Sequence, residues 1–285
     1  MPAPGWARQA VQLSIDLRDN MMPMEPPSRA TEAPPSLRHR VRAGHRLLGT
    51  FSVIPSTDVV ELIALAGFDF VILDMEHGPY TLELVHRCLL AAAARRLPAV
   101  VRVPENNASA IGAVLDAGAD GVLVPQIGSV EAAAAAVSAA RFAPHGTRGS
   151  NPWVRAAGFA GTPRWLAQAN EDTLVMVMIE GMQAIRQIDD ITAVDGLDAV
   201  FMGPVDTSHA LGVPGRPDHP LVLRTLADVA VRAAKSGTAT AVFAPSAERA
   251  HTWWKAGIDM VACSVDSRMV LDGLRNLATA AGPSD

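Results

Sequence analysis

Four short phrases in this sequence share one pattern. Ala66-Gly67-Phe68-Asp69, Ala117-Gly118-Ala119-Asp120, Asp195-Gly196-Leu197-Asp198 and Ala256-Gly257-Ile258-Asp259 each close a helical stretch, turn on a glycine and run into an apolar segment. Glycine suits the residue after a helix because that position often takes a positive φ, which strains other L-residues. A joint used four times constrains topology strongly. Strands that alternate with helices pair in parallel, and repetition favours closing them into a barrel over laying them out as a doubly wound sheet.

The hydrophobic pattern supplies the rest of the ring. Apolar runs at 48–54, 69–74, 98–103, 121–125, 174–180, 198–202, 238–244 and 259–264 read as eight strands, separated by helical patterns such as 57–66, 81–95, 107–117, 129–141, 219–236 and 246–256. Strands this uniformly apolar belong to a parallel sheet covered on both faces. A hydrophobic fraction of 49% in 285 residues is ample for one large core, and 19% charge excludes disorder throughout. The expected fold is α/β, a (βα)8 barrel over residues 41–285. Residues 1–40, broken by Pro2, Pro4, Pro23, Pro26, Pro27, Pro34 and Pro35, read as a flexible leader with at most one short helix near 7–17; Met21, Met22 and Met24 could be alternative starts.

Composition also narrows the partners. Lys and Arg total 24 against 29 Asp and Glu, a net charge of −5, with no basic cluster interleaved with aromatics, which argues against nucleic acid. No apolar run reaches the roughly 18 residues that cross a bilayer, and the N-terminus lacks a signal-peptide pattern. Cys88 and Cys263 sit in apolar stretches and read as small buried hydrophobes in a reducing compartment. The expected location is the cytoplasm.

In such barrels chemistry gathers where strands end. The second strand ends in Asp74-Met75-Glu76-His77-Gly78, the third in Arg102-Val103-Pro104, the fifth in Met178-Ile179-Glu180-Gly181 and the sixth in Gly203-Pro204-Val205-Asp206. Ionised Glu180 and Asp206 at neighbouring strand ends need a counter-charge, which a divalent cation with an all-oxygen shell would supply; the alternative is that each caps the helix after it. Arg102 either pairs with a structural carboxylate or offers its planar fork to an anionic ligand. His77 is either a general base or a hydrogen-bonded structural histidine. The long stretch 143–172, with Arg148, Asn151, Trp153, Arg155 and Trp165, reads as a lid or functional connection. Arg148 or Arg155 there would bind a distal carboxylate, or serve as solvated surface or subunit contact. Trp253-Trp254 reads as packing, and His209 as a polar loop residue or an acceptor contact.

Taken in order, Leu73-Asp74-Met75-Glu76-His77-Gly78, Val101-Arg102-Val103-Pro104, Leu115-Asp116-Ala117-Gly118-Ala119, Pro144-His145-Gly146-Thr147-Arg148-Gly149, Ile179-Glu180 and Gly203-Pro204-Val205-Asp206 resemble the HpcH/HpaI aldolase and citrate lyase family, over residues 45 to 280. The branch it resembles is the class II pyruvate aldolases, whose barrels are of the phosphoenolpyruvate/pyruvate-domain type. That resemblance implies a metal-dependent carbon–carbon lyase that cleaves a 4-hydroxy-2-oxo acid to pyruvate and an aldehyde, or adds them, through an enolate. It implies Glu180 and Asp206 as ligands of Mg²⁺ or Mn²⁺, with Co²⁺ as a third option, and Arg102 as the group that steadies the enolate. His77 would be the base, acting through water, with Asp116 raising its basicity. Gly203, Pro204, Val205 and Asp206 would receive the substrate. Met178 stands at a substrate-facing position where the family carries Gln, and so offers no hydrogen-bond donor. Small 2-oxo acids and aldehydes would be the partners, and the family's hexamers, built from dimers that exchange their last helix, imply a homo-oligomer. Alternatives are a citrate synthase-like or natural-product condensation of a 2-oxo acid, and a non-catalytic ligand-binding barrel.

Overall fold

The computed structural model describes residues 35–162 and 164–282; the helix expected near 7–17 lies outside them. Helix α1 (Leu37–Arg42) precedes a closed barrel of eight parallel strands, β1 (Leu47–Ser52), β2 (Phe70–Asp74), β3 (Ala99–Arg102), β4 (Gly121–Val124), β5 (Leu174–Ile179), β6 (Ala199–Met202), β7 (Ala239–Ala244) and β8 (Met260–Val265), paired in sequence order with β8 returning to β1. All eight expected strands are present. The connecting helices are α2 (Thr57–Leu65), α3 (Leu82–Ala94), α4 (Ala108–Asp116), α5 (Val130–Ala140), α6 (Trp165–Asp172), α7 (Met182–Arg186), α8 (Ile188–Thr192), α9 (Pro204–Ala210), α10 (Pro220–Lys235), α11 (Ala247–Lys255) and α12 (Asp266–Ala281). The six named from periodicity are all found.

The four joints do two jobs. Gly67, Gly118, Gly196 and Gly257 have φ of 89°, 101°, 83° and 84°, the left-handed turn expected of them. The aspartates were not singled out by the sequence reading, yet all four perform one task. Asp69, Asp120, Asp198 and Asp259 each accept, through Oδ2, the backbone N–H of Leu48, Ala99, Val175 and Thr240 respectively, at 2.8–2.9 Å. Each donates its own N–H to the carbonyl of the same residue. The start of every even-numbered strand is thereby tied to the start of the strand before it.

Asp198 carries more than its joint. Arg38 Nε, Arg42 Nη2 and Arg141 Nη2 reach it at 2.6, 3.1 and 2.8 Å, and Arg141, 2% exposed, also donates to the carbonyls of Asn170, Thr173 and Gly196. Arg38 lies within the segment 1–40 set apart as leader, and so the last residues of that segment help close the N-terminal end of the barrel.

Alternation along the strands fills the barrel. Phe70 and Ile72, Leu174, Met176 and Met178, Ala199 and Phe201, and Met260 and Ala262 form one interior cluster. At Gly49 a Cβ would fall inside the ring of Phe70, so only glycine lets that phenylalanine enter. A second cluster, including Val71, Leu73, Val101, Val122 and Val200, packs the outer strand faces against the helices.

Two substitutions separate the jobs of the joint. Gly67→Ala meets no atom within 4 Å, so it reports backbone strain alone and should cost about 1–2 kcal/mol in denaturant unfolding. Asp198→Ala strands the buried Arg141 and should cost about 3–5 kcal/mol; similar losses in both variants would overturn this division.

Candidate active site

The same alternation carries chemistry to the C-terminal rim. Inward positions on β2 run Phe70, Ile72, Asp74; on β3, Val100, Arg102; on β5, Met176, Met178, Glu180; on β6, Phe201, Gly203. Asp74 and Arg102 are register partners across β2 and β3. A cavity of about 360 Å³ opens there, lined among others by Asp74, His77, Arg102, Met178 and Asp206.

Arg102 is 8% exposed and pairs with carboxylates, the first of the two roles the sequence left open. Its Nε and Nη2 grip Asp74 Oδ1 and Oδ2 at 2.8 and 2.5 Å, its Nη1 faces Glu76 Oε2 at 3.0 Å, and it still lines the cavity. The guanidinium lies 4.9 Å from the ring centre of Phe51, and Met178 Sδ approaches Nη1 at 3.7 Å. Asp74, 2% exposed, also accepts the backbone N–H groups of Glu76 and His77 at 3.0 and 3.2 Å, so one carboxylate fixes both the arginine and the loop that bears the histidine. His77 projects at the mouth, 71% exposed, with Nε2 3.9 Å from Glu76 Oε2.

Neither Glu180 nor Asp206 caps a helix. Helices α7 and α9 begin at Gly181 and Gly203 with no side-chain cap, whereas α2 to α5 and α11 are capped by Ser56, Thr81, Asn107, Ser129 and Ser246. The two carboxylates flank Gly203. A Cβ placed on that glycine would lie 3.4 Å from Asp206 Oδ2, 3.4 Å from Glu180 Cγ and 3.9 Å from Met178 Cε. Glycine there keeps the space between them clear.

The electrostatics of this rim are unbalanced. Burial first, then the charges of Asp206 and Glu76, push the Glu180 carboxyl up to about 7, against the opposing pull of Arg102 and the main chain of Gln126. Arg102 thus faces Asp74, Glu76 and Glu180 together, with the charge of Asp206 added beside Glu180. An all-oxygen donor pair with surplus negative charge fits a hard divalent cation. Among the described residues no group of three or more His, Cys, Asp and Glu side chains converges at metal-ligand spacing.

Other expected residues lie away from this chain's own cavity. Asp116 ends α4, and a helix end lies at the N-terminal rim. Its carboxylate accepts from Arg148 Nη2 at 2.6 Å, and within one chain it does not meet His77. The stretch 143–172 runs from the end of α5 to the start of β5 and therefore also occupies the N-terminal rim, so it is no lid over this cavity. Arg148 there is 9% exposed, lies 4.4 Å from the ring centre of Phe142 and holds Asp116, while the Arg155 side chain lies against Gly118. Neither can bind a ligand in this chain's cavity. His209 lies on α9, not in a loop, and is exposed. Trp253 is buried in the outer core with Trp254 against it, the packing role expected.

Sequence reasoning missed Gln126. It follows β4 with a φ of 56°, unusual for a non-glycine, and its Nε2 donates to Glu76 Oε1 at 3.0 Å.

The sequence profile of the HpcH/HpaI aldolase/citrate lyase family matches residues 47–273. The hydroxypyruvate/pyruvate aldolase of Sagittula stellata is 33% identical over 230 residues, 81% of this chain and 91% of that protein. A 2-keto-3-deoxy-L-rhamnonate aldolase of Escherichia coli is 32% identical over 238 residues, 83% of this chain and 89% of its own length. Among solved structures, a family protein from Burkholderia cenocepacia is 33% identical with a TM-score of 0.83, covering 87% of this chain and 99% of its own. The chain belongs to the HpcH/HpaI aldolase/citrate lyase family. It is an enzyme of the aldolase kind, in the class of lyases.

The raised Glu180 carboxyl gives a pH signature in cation-free protein. Its folded-state value near 7 exceeds the usual 4.5, so its stabilising contribution is complete below pH 4.5 and is lost as pH rises through 7. Glu180→Gln mimics the protonated form. With EDTA present it should raise Tm above wild type at pH 8, by the equivalent of about 1 kcal/mol after allowing for partial exposure, and leave it near wild type at pH 5. Equal shifts at both pH values would contradict the assignment.

Proposed function

We propose that this chain is a metal-dependent class II pyruvate aldolase, in which Glu180 and Asp206 hold Mg²⁺ or Mn²⁺. The reading rests on one observation: two carboxylates flank a glycine-cleared space beside Arg102, with the Glu180 carboxyl raised by burial and then by the charge of Asp206. A dication there would acidify the C–H next to the ketone of a chelating 2-oxo acid.

The chain's own groups supply the remainder. Arg102, fixed by Asp74 and Glu76, presents a cation to the enolate oxygen in a largely desolvated setting, where preorganised charge contributes most. The main chain of Gly203, Pro204 and Val205, at a helix start without a side-chain cap, receives the substrate carboxylate. His77, at the mouth, is the base and passes the proton through water. Met178 adds an apolar thioether beside Arg102 where an amide would have donated to the ligand. We place the enzyme in the cytoplasm as a homo-oligomer acting on small molecules. No helix among the described residues is long and apolar enough to cross a membrane, and α12 exposes Val270, Leu271, Leu274 and Leu277.

Incubation with Mg²⁺ or Mn²⁺ and pyruvate in D₂O should deuterate the methyl group, as read by NMR, and EDTA should abolish the exchange. Glu180→Gln and Asp206→Asn should each remove the exchange while the circular dichroism of the barrel persists; retained exchange in either would refute its role. Arg102→Lys should slow it by about 10²-fold or more, since a point charge cannot hold Asp74 with two prongs and still face the ligand. A near-normal rate would remove Arg102 from the mechanism.

A further inference from the structure

The cavity is divided by strand. Every ionisable group described above comes from the ends of β2, β3, β5 and β6. The contiguous arc β7, β8 and β1 contributes only hydrocarbon to the lining: Phe243, Val265, Phe51 and Val53. Phe51 packs edge-on against Phe201 and Phe243, with ring centres 5.7 and 6.1 Å apart, so this wall is stiff as well as apolar. The wall continues. A smaller cavity of about 90 Å³ shares Pro204, Val205 and Phe243 with the main one and runs on past Leu223, Pro245 and Trp253. The cation bordering it, Arg249, is held by Asp218 at 2.6 Å. Arg102, held by Asp74 and Glu76, serves the 2-oxo acid itself, and Arg148 and Arg155 lie at the other rim.

A 2-oxo acid oriented by Glu180, Asp206 and Arg102 would turn its nucleophilic carbon toward the remaining open side. We propose that the acceptor aldehyde lies along the β7–β8–β1 arc and carries a hydrocarbon or aryl tail, not a polyhydroxylated or carboxylated one. This rests on the aldolase reading above and adds the chemistry of its second substrate. In the addition, C3 of the pyruvate enolate bonds to the aldehyde carbon, the C=O π pair moves to its oxygen, and that oxygen takes a proton; no oxidant or reductant is consumed. Buried against Phe243, Val265 and Val53, each hydroxyl of a polyol tail would lose its water without gaining a partner, and a distal carboxylate would face hydrocarbon, the arginine that borders the smaller cavity being held already by Asp218.

The test compares aldehydes added to pyruvate by the Mg²⁺-loaded full-length enzyme. Values of kcat/KM, corrected for aldehyde hydration, are measured for butanal and benzaldehyde against glyceraldehyde and 4-oxobutanoate. The apolar pair should be favoured about 10- to 100-fold, the range over which hydrophobic pockets discriminate. Phe243→Ser should move the ratio of butanal to glyceraldehyde about tenfold toward glyceraldehyde. A preference for either polar aldehyde, equal rates across the set, or a ratio unmoved in Phe243→Ser would overturn the assignment. Pyruvate methyl exchange is read on the same preparation. Its presence with a polar preference sinks only the acceptor class, and its absence sinks the aldolase reading from which that class is drawn.

Discussion

A backbone N–H at the start of each odd-numbered strand would be left short of a partner at the barrel's N-terminal rim, and four aspartates supply it. The cost of an unpaired buried donor is what makes this contact decisive. Each aspartate sits two residues beyond a glycine whose positive φ turns the chain from helix to strand, so the turn and its stitch are encoded together. With the lower rim settled in this way, strand alternation delivers Asp74, Arg102, Glu180 and Gly203 to the upper one without any loop having to search for them. Precision at the site follows from rigidity at the opposite end.

Function and stability are therefore divided between the rims. Below, Asp198 draws in Arg38, Arg42 and Arg141, ion pairs whose role is closure. Above, the charges do not balance: burial and the neighbouring charges of Asp206 and Glu76 outweigh the pull of Arg102, and Glu180 holds its proton to about pH 7. Such perturbed groups in a cleft mark a site designed to be completed by a ligand.

Much of this was legible in the sequence, for identifiable reasons. Strands buried on both faces advertise themselves as unbroken apolar runs, and charges that end such runs, as Arg102 and Glu180 do, stand out. Helices α7, α8 and α9, five to seven residues each, are too short to show a period and went unnamed. Asp74 looked like one more polar strand end, and nothing in its neighbours announced that it would clamp Arg102. Gln126 gave no signal because an amide after a proline has no chemistry of its own; its part comes from what the fold brings near. The expectation of a lid over 143–172 has a single source. Any segment leading out of a helix and into a strand belongs to the rim away from the same chain's cavity, and that rule applied to α5 places the connection.

The helix starts carry one more implication. Five strands hand over to helices through a Ser, Thr or Asn whose side chain closes the first turn, a contact worth about 1 kcal/mol. The two handovers beside Glu180 and Asp206 use glycine and forgo it. Engineering for thermal robustness would be drawn to those two positions first, since a serine there looks like an easy gain. At residue 203 it would place a hydroxymethyl group in the gap that the acids enclose, and the sturdier protein would be the idle one.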